Sequence, residues 1–414
     1  MLVKVLPSEI KGKISPLSSK SVAHRSLICA FLSGKEVQLV GNFDLVDIDA
    51  TVGCLNSLGG RIEKNGLGYL VKPGSLKTEC KLNAIESGST LRFMLPLACA
   101  LGVNGEISGS ERLFNRPISP LLSVLEQNGI TFSSKTMPIK FNGKLKAGVY
   151  KIDGSISSQF ITGLILALCV VDGESVIEIE NNFVSKDYVE ITLNVLKDFG
   201  IEIERLEKGY KIIPQKFNPP KEYLVEGDWS SACFMGALGL TRGEVSLANL
   251  NVNSFQGDKI CLEVFKEIGG EVRLTKDEII VKKNQLKAIT FDAENYPDFV
   301  PVLSCILALS KGVSVIKNVA RLKDKESDRL AETIKMLTTF GIKAYYENNS
   351  IVIEGGQPKG AVYHSPNDHR MAMSATVLAL NAQGESQIEN AQCISKSYPC
   401  FYEHVKVLGG KVSV

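Results

Sequence analysis

Six segments of the chain place apolar and polar residues with the period of an amphipathic helix, and each ends in glycine. A strand-like run follows each glycine, as in "VLKDFGIEI" and "MLTTFGIKA". Glycine is expected just after a helix, because it adopts the left-handed conformation without a steric penalty from Cβ. The pattern therefore predicts six helices that end at Gly60, Gly129, Gly200, Gly270, Gly341 and Gly410.

A second set of six segments is apolar nearly all round, which is typical of a buried helix. Examples are "MLPLACALG" and "VLSCILALSKG", and the set ends at Gly34, Gly102, Gly173, Gly243, Gly312 and Gly384. Both sets recur about every seventy residues, which indicates repeated structural units along the whole chain. Each unit consists of a buried helix, a strand, an amphipathic helix and a β-hairpin, and becomes βαβαββ when a strand before its first helix is included.

The last unit lacks its second hairpin strand, because the chain ends at "GGKVSV". The N-terminal run "MLVKVLP" is similar to second hairpin strands elsewhere, such as "YLVKPG", so we expect it to complete the sixth unit. The repeat predicts an α/β protein with two domains of three units each. Residues 14–225 would form the N-terminal domain, and residues 1–13 with 226–414 the C-terminal domain. Two chain crossings would then form the hinge of a closing clamp.

Composition narrows the classes of function. The formal net charge is +2, which argues against a strong basic field for nucleic acid or for acidic membranes. The most apolar stretch, residues 160–171, is too short to cross a membrane, and the N-terminus lacks the apolar core of a signal peptide. Ten scattered cysteines and four histidines form no ligand-spaced cluster. We therefore expect a reduced cytoplasmic protein without a metal site.

Polar residues precede every buried helix, in "SSKSVAHRS", "ESGSTLRF", "SISSQF", "EGDWSSA", "NYPDF" and "PNDHRMAM". N-capping explains the serines and aspartates. It does not explain cations near these helix starts, where the helix dipole disfavours positive charge unless an anion binds. These cations are Lys20, Arg25, Arg92 and Arg370. If the six openings line a cleft between the domains, they form a cationic box for a ligand with several negative groups, together with Arg116, Glu326, Arg329 and Lys396.

The segment "KDKESDRLAETIKML" places charged residues before an apolar stripe at helical spacing. On a helix, Glu326 would lie at the edge of that stripe and could meet Arg329, three residues later. Asp328 would point to the opposite, solvated face. A reaction site and an ordinary solvated helix start both fit this segment taken alone.

Eight motifs, in order, resemble those of the 5-enolpyruvylshikimate-3-phosphate synthase family: "SSKSVAHRSL", "ESGSTLR", "RPISPLL", "SISSQF", "VEGDWSSACF", "KDKESDRL", "NDHRMAM" and "SKSYP". The resemblance covers essentially the whole chain. It implies a two-domain inside-out α/β barrel of six βαβαββ repeats. It also implies transfer of the enolpyruvyl group of phosphoenolpyruvate to the 5-hydroxyl of shikimate 3-phosphate, with release of phosphate, in the shikimate pathway to chorismate and aromatic amino acids. No cofactor is implied, and the partners are two small substrates of a cytoplasmic monomer that binds no nucleic acid or membrane.

The resemblance also implies roles for individual residues. Asp298 would act as the base for the 5-hydroxyl, and Glu326 would protonate the methylene carbon with help from Lys20. The residues that would bind phosphoenolpyruvate are Lys20, Gly88, Arg92, Arg116, Gln159, Arg329, Arg370 and Lys396. Those that would bind shikimate 3-phosphate are Lys20, Ser21, Arg25, Ser157, Ser158, Gln159, Ser185, Tyr188, Asp298 and Lys325.

Three positions depart from the family pattern, namely Glu86 for an asparagine, Ser89 for a threonine and Phe93 for a proline. Gly88 is retained, and a bulkier residue there excludes the herbicide glyphosate in the family. We therefore expect glyphosate to inhibit this protein, to a degree that Phe93 leaves open.

Two alternatives compete with this interpretation. The sister family of UDP-N-acetylglucosamine enolpyruvyl transferases shares the fold and the donor. Its usual form has a reactive cysteine before the Arg-Pro region, where "GSERLFNRPIS" has none. A ring-shaped DNA clamp would also contain duplicated αβ units, but a net charge of +2 argues against it.

Overall fold

The computed structural model describes residues 1–43 and 45–414. The chain divides into two compact units. We call Ser18–Glu226 the N-terminal unit, and Met1–Leu17 together with Gly227–Val414 the C-terminal unit.

The elements of the first part of the chain are, in order, β1 (Val3–Leu6), β2 (Ile10–Ile14), α1 (Lys20–Ser33), β3 (Val37–Val40), α2 (Val46–Ser57), β4 (Arg61–Asn65), β5 (Gly68–Lys72), β6 (Glu79–Asn83), α3 (Gly88–Leu101), β7 (Asn104–Ser108), α4 (Glu111–Phe114), α5 (Ser119–Gln127), β8 (Ile130–Ser134), β9 (Ile139–Gly143), β10 (Val149–Asp153), α6 (Ser158–Leu168), β11 (Ser175–Glu180), α7 (Asp187–Asp198), β12 (Glu204–Leu206), β13 (Gly209–Ile212) and β14 (Glu222–Leu224).

The remaining elements are α8 (Trp229–Arg242), β15 (Gly243–Ala248), α9 (Cys261–Glu267), β16 (Glu271–Leu274), β17 (Glu278–Lys282), β18 (Thr290–Asp292), α10 (Val300–Ala308), β19 (Val313–Lys317), α11 (Arg329–Thr339), β20 (Ala344–Glu347), β21 (Ser350–Glu354), β22 (Val362–His364), α12 (His369–Asn381), β23 (Ser386–Glu389), α13 (Phe401–Val407) and β24 (Lys411–Ser413). Short 3₁₀ helices cover Gly257–Ile260, Ala320–Asp324 and Ala391–Lys396.

The strands form four-stranded sheets that share one pattern of pairing. An edge strand runs parallel to a central strand, and the central strand pairs antiparallel with a hairpin. In the N-terminal unit the orders are β14-β3-β5-β4, β6-β7-β9-β8 and β10-β11-β13-β12. In the C-terminal unit they are β2-β15-β17-β16, β18-β19-β21-β20 and β22-β23-β1-β24. Parallel strands need a crossover connection, and the buried helices supply it in the repeats with a continuous chain.

The N-terminal strand completes the last sheet, as the sequence predicts. β1 lies between β23 and β24 and pairs antiparallel with both. It occupies the place that a hairpin strand holds in the other sheets. Residues from the two ends of the chain thus form a single sheet of the C-terminal unit.

The edge strands of the two units are exchanged along the chain, which the sequence pattern does not reveal. β2 directly precedes α1, yet it pairs in parallel with β15, while β14 precedes α8 and pairs in parallel with β3. Gly243, at the start of β15, permits the close approach of β2, because a Cβ there would lie 2.0 Å from the carbonyl oxygen of Ile10. Gly243 is the C-cap of α8, but its φ of 164° is extended, so glycine is needed there for space rather than for a left-handed conformation.

The predicted helix-ending glycines are confirmed at five positions, where a positive-φ glycine follows the helix end within two residues, namely Gly34, Gly102, Gly129, Gly200 and Gly341. The helices α6, α10 and α12 end several residues before Gly173, Gly312 and Gly384, so the prediction is wrong there. It is wrong by one residue at three further positions. In the "GG" pairs the first glycine takes the positive φ, at Gly59, Gly269 and Gly409. The second glycine serves packing instead. A Cβ at Gly60, for example, would lie 2.8 Å from the carbonyl oxygen of Leu55.

The first helix of each repeat forms the core, as its apolar sequence predicts. Buried residues dominate α1, α3, α6, α8, α10 and α12. Nine of the ten cysteines are buried and Cys400 is partly exposed. In the described part of the chain, no helix has both the length and the apolar character needed to span a membrane.

Candidate active site

The guanidinium of Arg329, in the C-terminal unit, hydrogen-bonds three carboxylates. Its Nη1 donates to Asp298 Oδ1 at 2.7 Å, and its Nη2 donates to Glu326 Oε2 at 2.6 Å. On the opposite side, Nε donates to Asp368 Oδ2 at 2.8 Å and Nη2 to Asp368 Oδ1 at 3.2 Å. The Arg329 side chain is fully buried, whereas Glu326 is 28% and Asp298 18% exposed. One buried cation therefore holds two partly accessible acids.

The local structure of this segment differs from the helical placement that the sequence predicts. α11 begins at Arg329, and Asp328 is its N-cap, accepting from Ala331 N at 3.0 Å. Asp328 is therefore a capping residue and not simply a solvated acid. Glu326 precedes the helix, and it reaches Arg329 from the turn before the N-cap. The predicted contact is present, but the predicted reason for it is wrong.

Asp368 is the anchor of this cluster, and the sequence-based site residues do not include it. It caps α12 by accepting from Arg370 N at 3.0 Å, and it also accepts from Ser327 Oγ at 3.0 Å. Burial is the strongest single influence and acts to raise the pKa of Asp368, but the charge of Arg329, the charge of His369 and the hydrogen bond from Arg329 together lower that pKa below its usual value. Burial would likewise lower the pKa of Arg329, but Asp368 and Glu326 raise it on balance. The motif "NDHRMAM" contains this aspartate, which N-capping alone seemed sufficient to explain.

Lys325 adds a second cation beside Asp298. Its Nζ lies 3.5 Å from Asp298 Oδ1. Burial lowers the pKa of Lys325 to about 8, while the charge of Asp298 opposes that shift. Asp298 lies just before α10, so the starts of α10 and α11 meet at this carboxylate.

Arg370, in the first turn of α12, joins two further helix starts. Its Nη1 donates to the main-chain oxygen of Asp298 at 2.8 Å, and its Nη2 donates to Ser230 Oγ at 3.1 Å. Ser230 lies in the first turn of α8 and donates to the buried carboxylate of Asp258. Lys396 Nζ donates to the main-chain oxygen of Asn367, just before the start of α12, at 2.7 Å. Ser230 and Asp258 carry no sequence signal beyond their position near a helix start.

In the N-terminal unit, Arg92 links α3 to α6. Its Nη1 donates to Gln159 Oε1 at 3.0 Å, and Gln159 Nε2 donates to Ser89 Oγ at 3.0 Å. Gly88 lies against two guanidinium groups, because a Cβ there would be 2.6 Å from Arg116 Nη1 and 2.7 Å from Arg92 Nη1. The structure thus brings together four residues that the sequence predicts as phosphoenolpyruvate ligands, namely Gly88, Arg92, Arg116 and Gln159.

Arg25 links α1 to α6 and α7 through neutral acceptors. Its Nε donates to Thr192 Oγ1 at 2.7 Å, and Nη2 donates to Tyr188 O at 2.8 Å and to Thr162 Oγ1 at 3.4 Å. The guanidinium also lies 5.1 Å above the ring of Phe93, so this departure from the family pattern supports Arg25. Burial lowers the pKa of Arg25 to about 10.

The other predicted residues of this unit occupy helix starts. Lys20 begins α1 and pairs with Asp47 at 2.9 Å. Ser21 accepts from Arg25 Nη1 through its main-chain oxygen at 2.6 Å. Ser157 caps α6, Ser158 is buried behind it, and Ser185 adopts a left-handed conformation with φ of 52° just before α7. Strained φ values at non-glycine residues concentrate at binding sites, which agrees with this placement.

Within the described ranges 1–43 and 45–414, no group of three histidine, cysteine or acidic residues is arranged to hold a metal ion. The three carboxylates of the C-terminal unit surround a guanidinium. The Arg329 guanidinium thus holds two partly accessible acids, Asp298 and Glu326, by hydrogen bonds. The N-terminal unit offers cations and amide or hydroxyl groups that suit an anionic ligand.

Comparisons with known proteins agree with the motifs. The profile of the EPSP synthase (3-phosphoshikimate 1-carboxyvinyltransferase) family matches residues 6–405. A 3-phosphoshikimate 1-carboxyvinyltransferase of Clostridium acetobutylicum is 37% identical, covering 99% of this chain and 98% of the relative. The enzyme of that name from Clostridium kluyveri is 35% identical over 99% of this chain and 98% of its own length.

Solved structures show the fold. EPSP synthase from Acinetobacter baumannii superposes with a TM-score of 0.82 and covers 100% of both chains at 23% identity. The enolpyruvyl transferase NikO from Streptomyces tendae gives a TM-score of 0.80 at 15% identity, covering 100% of this chain and 98% of its own. The predicted inside-out α/β fold is therefore confirmed. With a family profile that spans most of its length and relatives above 30% identity, this chain belongs to the EPSP synthase (3-phosphoshikimate 1-carboxyvinyltransferase) family.

Proposed function

We propose that this protein transfers the enolpyruvyl group of phosphoenolpyruvate to the 5-hydroxyl of shikimate 3-phosphate and releases phosphate. The products are 5-enolpyruvylshikimate 3-phosphate and inorganic phosphate. The observation that carries the assignment of roles is the pair of acids, Asp298 and Glu326, held on one guanidinium at 2.7 and 2.6 Å.

Addition begins with protonation of the methylene carbon of phosphoenolpyruvate. Glu326 is the proposed acid, with Lys20 assisting, because Glu326 is the most accessible carboxylate on Arg329. Protonation makes C2 electron-poor and oxocarbenium-like. Asp298 then accepts the proton of the 5-hydroxyl as its oxygen bonds to C2, which produces a tetrahedral intermediate.

Elimination then forms the enol ether of the product. The C2–O bond to phosphate breaks, and a proton returns from the methyl carbon to the carboxylate that Glu326 became on giving up its proton. The departing phosphate carries negative charge that fixed cations stabilise. The proposed phosphoenolpyruvate site consists of Lys20, Gly88, Arg92, Arg116, Gln159, Arg329, Arg370 and Lys396. Binding of an anion to Arg329 would replace one of its bonds to Glu326 or Asp298, and so would release that acid for chemistry.

Shikimate 3-phosphate is the proposed ligand of the N-terminal unit, and Asp298 and Lys325 are two further proposed ligands of this substrate. Arg25 supports this role, because its described hydrogen-bond acceptors are neutral and leave its charge for the substrate phosphate. The remaining proposed ligands are Lys20, Ser21, Ser157, Ser158, Gln159, Ser185 and Tyr188. Residues 14–225 would form the domain that binds it, and residues 1–13 with 226–414 the other.

The proposed setting is the cytoplasm, with the protein acting as a monomer on two small substrates and without nucleic acid or membrane partners. Buried, unpaired thiols support a reducing compartment. The net charge of +2 supports the absence of a nucleic-acid partner.

The test is release of phosphate from phosphoenolpyruvate with either shikimate 3-phosphate or UDP-N-acetylglucosamine as acceptor. We expect phosphate release only when shikimate 3-phosphate is the acceptor. Release with the nucleotide sugar instead would assign the protein to the sister activity, and release with neither would overturn the proposal.

A further inference from the structure

A buried carboxylate outside the acid cluster lies behind Arg370. Asp258, in the 3₁₀ helix Gly257–Ile260, is 6% exposed and accepts a hydrogen bond from Ser230 Oγ. Ser230 Oγ in turn accepts from Arg370 Nη2 at 3.1 Å. Asp258 Oδ2 also lies 3.8 Å from Arg370 Nη1. These contacts form a chain from Asp258 through Ser230 to Arg370.

The chemistry of the three groups fixes which of them donates and which accepts each hydrogen bond. A guanidinium only donates hydrogen bonds, an ionised carboxylate only accepts them, and a hydroxyl does both. Ser230 therefore donates to Asp258 and presents a lone pair to Arg370. The main-chain oxygen of Asp298 holds the other terminal nitrogen of Arg370, at 2.8 Å. Two acceptors on two different nitrogens determine the plane of the guanidinium.

We propose that Asp258 and Ser230 are positioning residues of the phosphoenolpyruvate site, which hold the Arg370 guanidinium in the orientation that binds the anionic substrate. The inference rests on the proposed function through the role of Arg370. Neither residue touches substrate. They hold the Arg370 side chain in place before the substrate binds, so less conformational entropy is lost on binding. This strengthens binding of the anion more than it changes the chemical step.

The electrostatics of Asp258 support a functional reason for its presence. Burial raises its pKa to about 6, the charge of Arg370 opposes that shift, and Asp298 and Asp228 reinforce it. The thiol of Cys233 on α8 faces its main-chain oxygen, at 3.2 Å. Because the folded-state pKa lies above the usual value of 3.8, stability falls as pH rises between the two and stays lower above about 6. The ionised Asp258 thus opposes folding at neutral pH.

The experiment measures KM for each substrate, kcat and Tm at pH 8 for Asp258→Asn, Asp258→Ala and Ser230→Ala. We expect Asp258→Ala and Ser230→Ala to raise KM for phosphoenolpyruvate about tenfold, with little change in kcat or in KM for shikimate 3-phosphate. Asp258→Asn keeps an acceptor oxygen, so its KM should rise less, and its Tm should rise because a buried charge is removed. The double variant Asp258→Ala with Ser230→Ala should be no worse than either single one, because both break the same chain.

Ser374→Ala is the matched control. Ser374 is a buried serine on α12, four residues after Arg370, and its Oγ has no hydrogen-bond partner among the described residues. Its removal should leave both KM values unchanged. An unchanged KM for phosphoenolpyruvate in the Asp258 and Ser230 variants, with a lower Tm, would assign them a structural role and overturn the inference. Failure of the proposed function is recognised separately, as absence of wild-type turnover with shikimate 3-phosphate.

Discussion

Arg25 and Arg329 are both buried arginines near helix starts, but their surroundings are opposite. The acceptors described for Arg25 are hydroxyl and main-chain oxygens, and burial lowers its pKa to about 10. Arg329 has carboxylates as partners, and their charges raise its pKa. The N-terminal unit thus keeps a cation whose charge is not neutralised by its hydrogen-bond partners. The C-terminal unit holds a neutralised cation that positions acids.

This difference explains how the same repeated unit can serve two tasks, the capture of an anionic substrate and the placement of acids. A cation with neutral acceptors attracts an anionic substrate group, since the substrate provides the missing negative charge. A cation surrounded by carboxylates binds a substrate anion only by giving up one of those pairs, and before that it determines where each acid lies. We therefore assign substrate capture chiefly to the surroundings of Arg25 and proton transfer to those of Arg329.

The largest effect is expected from Glu326→Gln, which tests the proton-transfer side of this comparison. The amide still accepts a hydrogen bond from Arg329 but cannot deliver a proton. We expect kcat for phosphate release to fall about 10²- to 10⁴-fold, with KM values changing much less. Glu332→Gln, on the same helix α11, is the control and should retain full turnover. Native-like turnover in Glu326→Gln would return that acid to a structural role.

A comparison of Arg329→Leu with Arg25→Leu sharpens the contrast in free energy of unfolding, measured by urea at pH 7.5. Arg329→Leu leaves the buried Asp368 without its counter-charge, and we expect a loss of about 3–5 kcal/mol. Arg25→Leu leaves neutral oxygens and removes a buried charge, so we expect a loss of about 1–3 kcal/mol.

The pH dependence separates the two variants further. The pKa of Asp368 is lowered in the folded protein, so its pairing stabilises at pH values above the usual 3.8 and is lost as pH falls through the lower folded value. The deficit of Arg329→Leu relative to the wild type should therefore be complete at pH 4 and shrink only as pH falls below 3.8, whereas that of Arg25→Leu should not shrink. Equal deficits of Arg329→Leu at pH 7.5 and at pH 3 would contradict the comparison.

The smallest effect is expected from Gly88→Ala, which probes the guanidinium pair Arg92 and Arg116. The added methyl would lie 2.6 Å from Arg116 Nη1, so the side chain must shift by a few tenths of an ångström or more. We expect glyphosate to inhibit the wild type in competition with phosphoenolpyruvate. In Gly88→Ala the inhibition constant should rise about tenfold, and KM for phosphoenolpyruvate should rise less.

Gly53→Ala, in α2, is the control for that prediction, because no atom lies within 4 Å of its added methyl. It should leave inhibition unchanged. Wild-type activity that is indifferent to a large excess of glyphosate would contradict the assignment of Gly88 to the phosphoenolpyruvate site.

Much of the fold was predictable because its repeats are local in sequence. Helix periodicity and glycine stops depend on residues a few positions apart, and they predicted the helices and the completion of the last sheet by β1. The predicted domain bounds placed most of β2 in the C-terminal domain and β14 in the N-terminal domain, but their pairing with β15 and β3 was not predictable, because β strands of similar composition do not specify which distant partner they pair with. The position of the helix-ending glycine at Gly59 was not predictable either, because both residues of a "GG" pair tolerate positive φ.

The sequence indicated candidate site residues but not their surroundings. Arg25, Arg92 and Arg370 were identified because positive charge near a helix start is unfavourable unless an anion binds. No comparable feature of the sequence identified their partners. Asp368 resembles any N-cap, and Asp258 resembles any acid in a short helical turn. Glu326 reached Arg329 as expected, although the helix begins only at Arg329 and the turn before it makes the contact.

By itself, the sequence determined the repeat, the buried helices and the family motifs, since each depends on spacing along the chain and on residue type. Only the tertiary structure decided which acceptors surround each cation. Those acceptors come from elements far apart in sequence, as Asp298 and Asp368 do around Arg329. A guanidinium has the same charge in every context, and the burial and ionisation of its partners make it a substrate ligand or a support for acids.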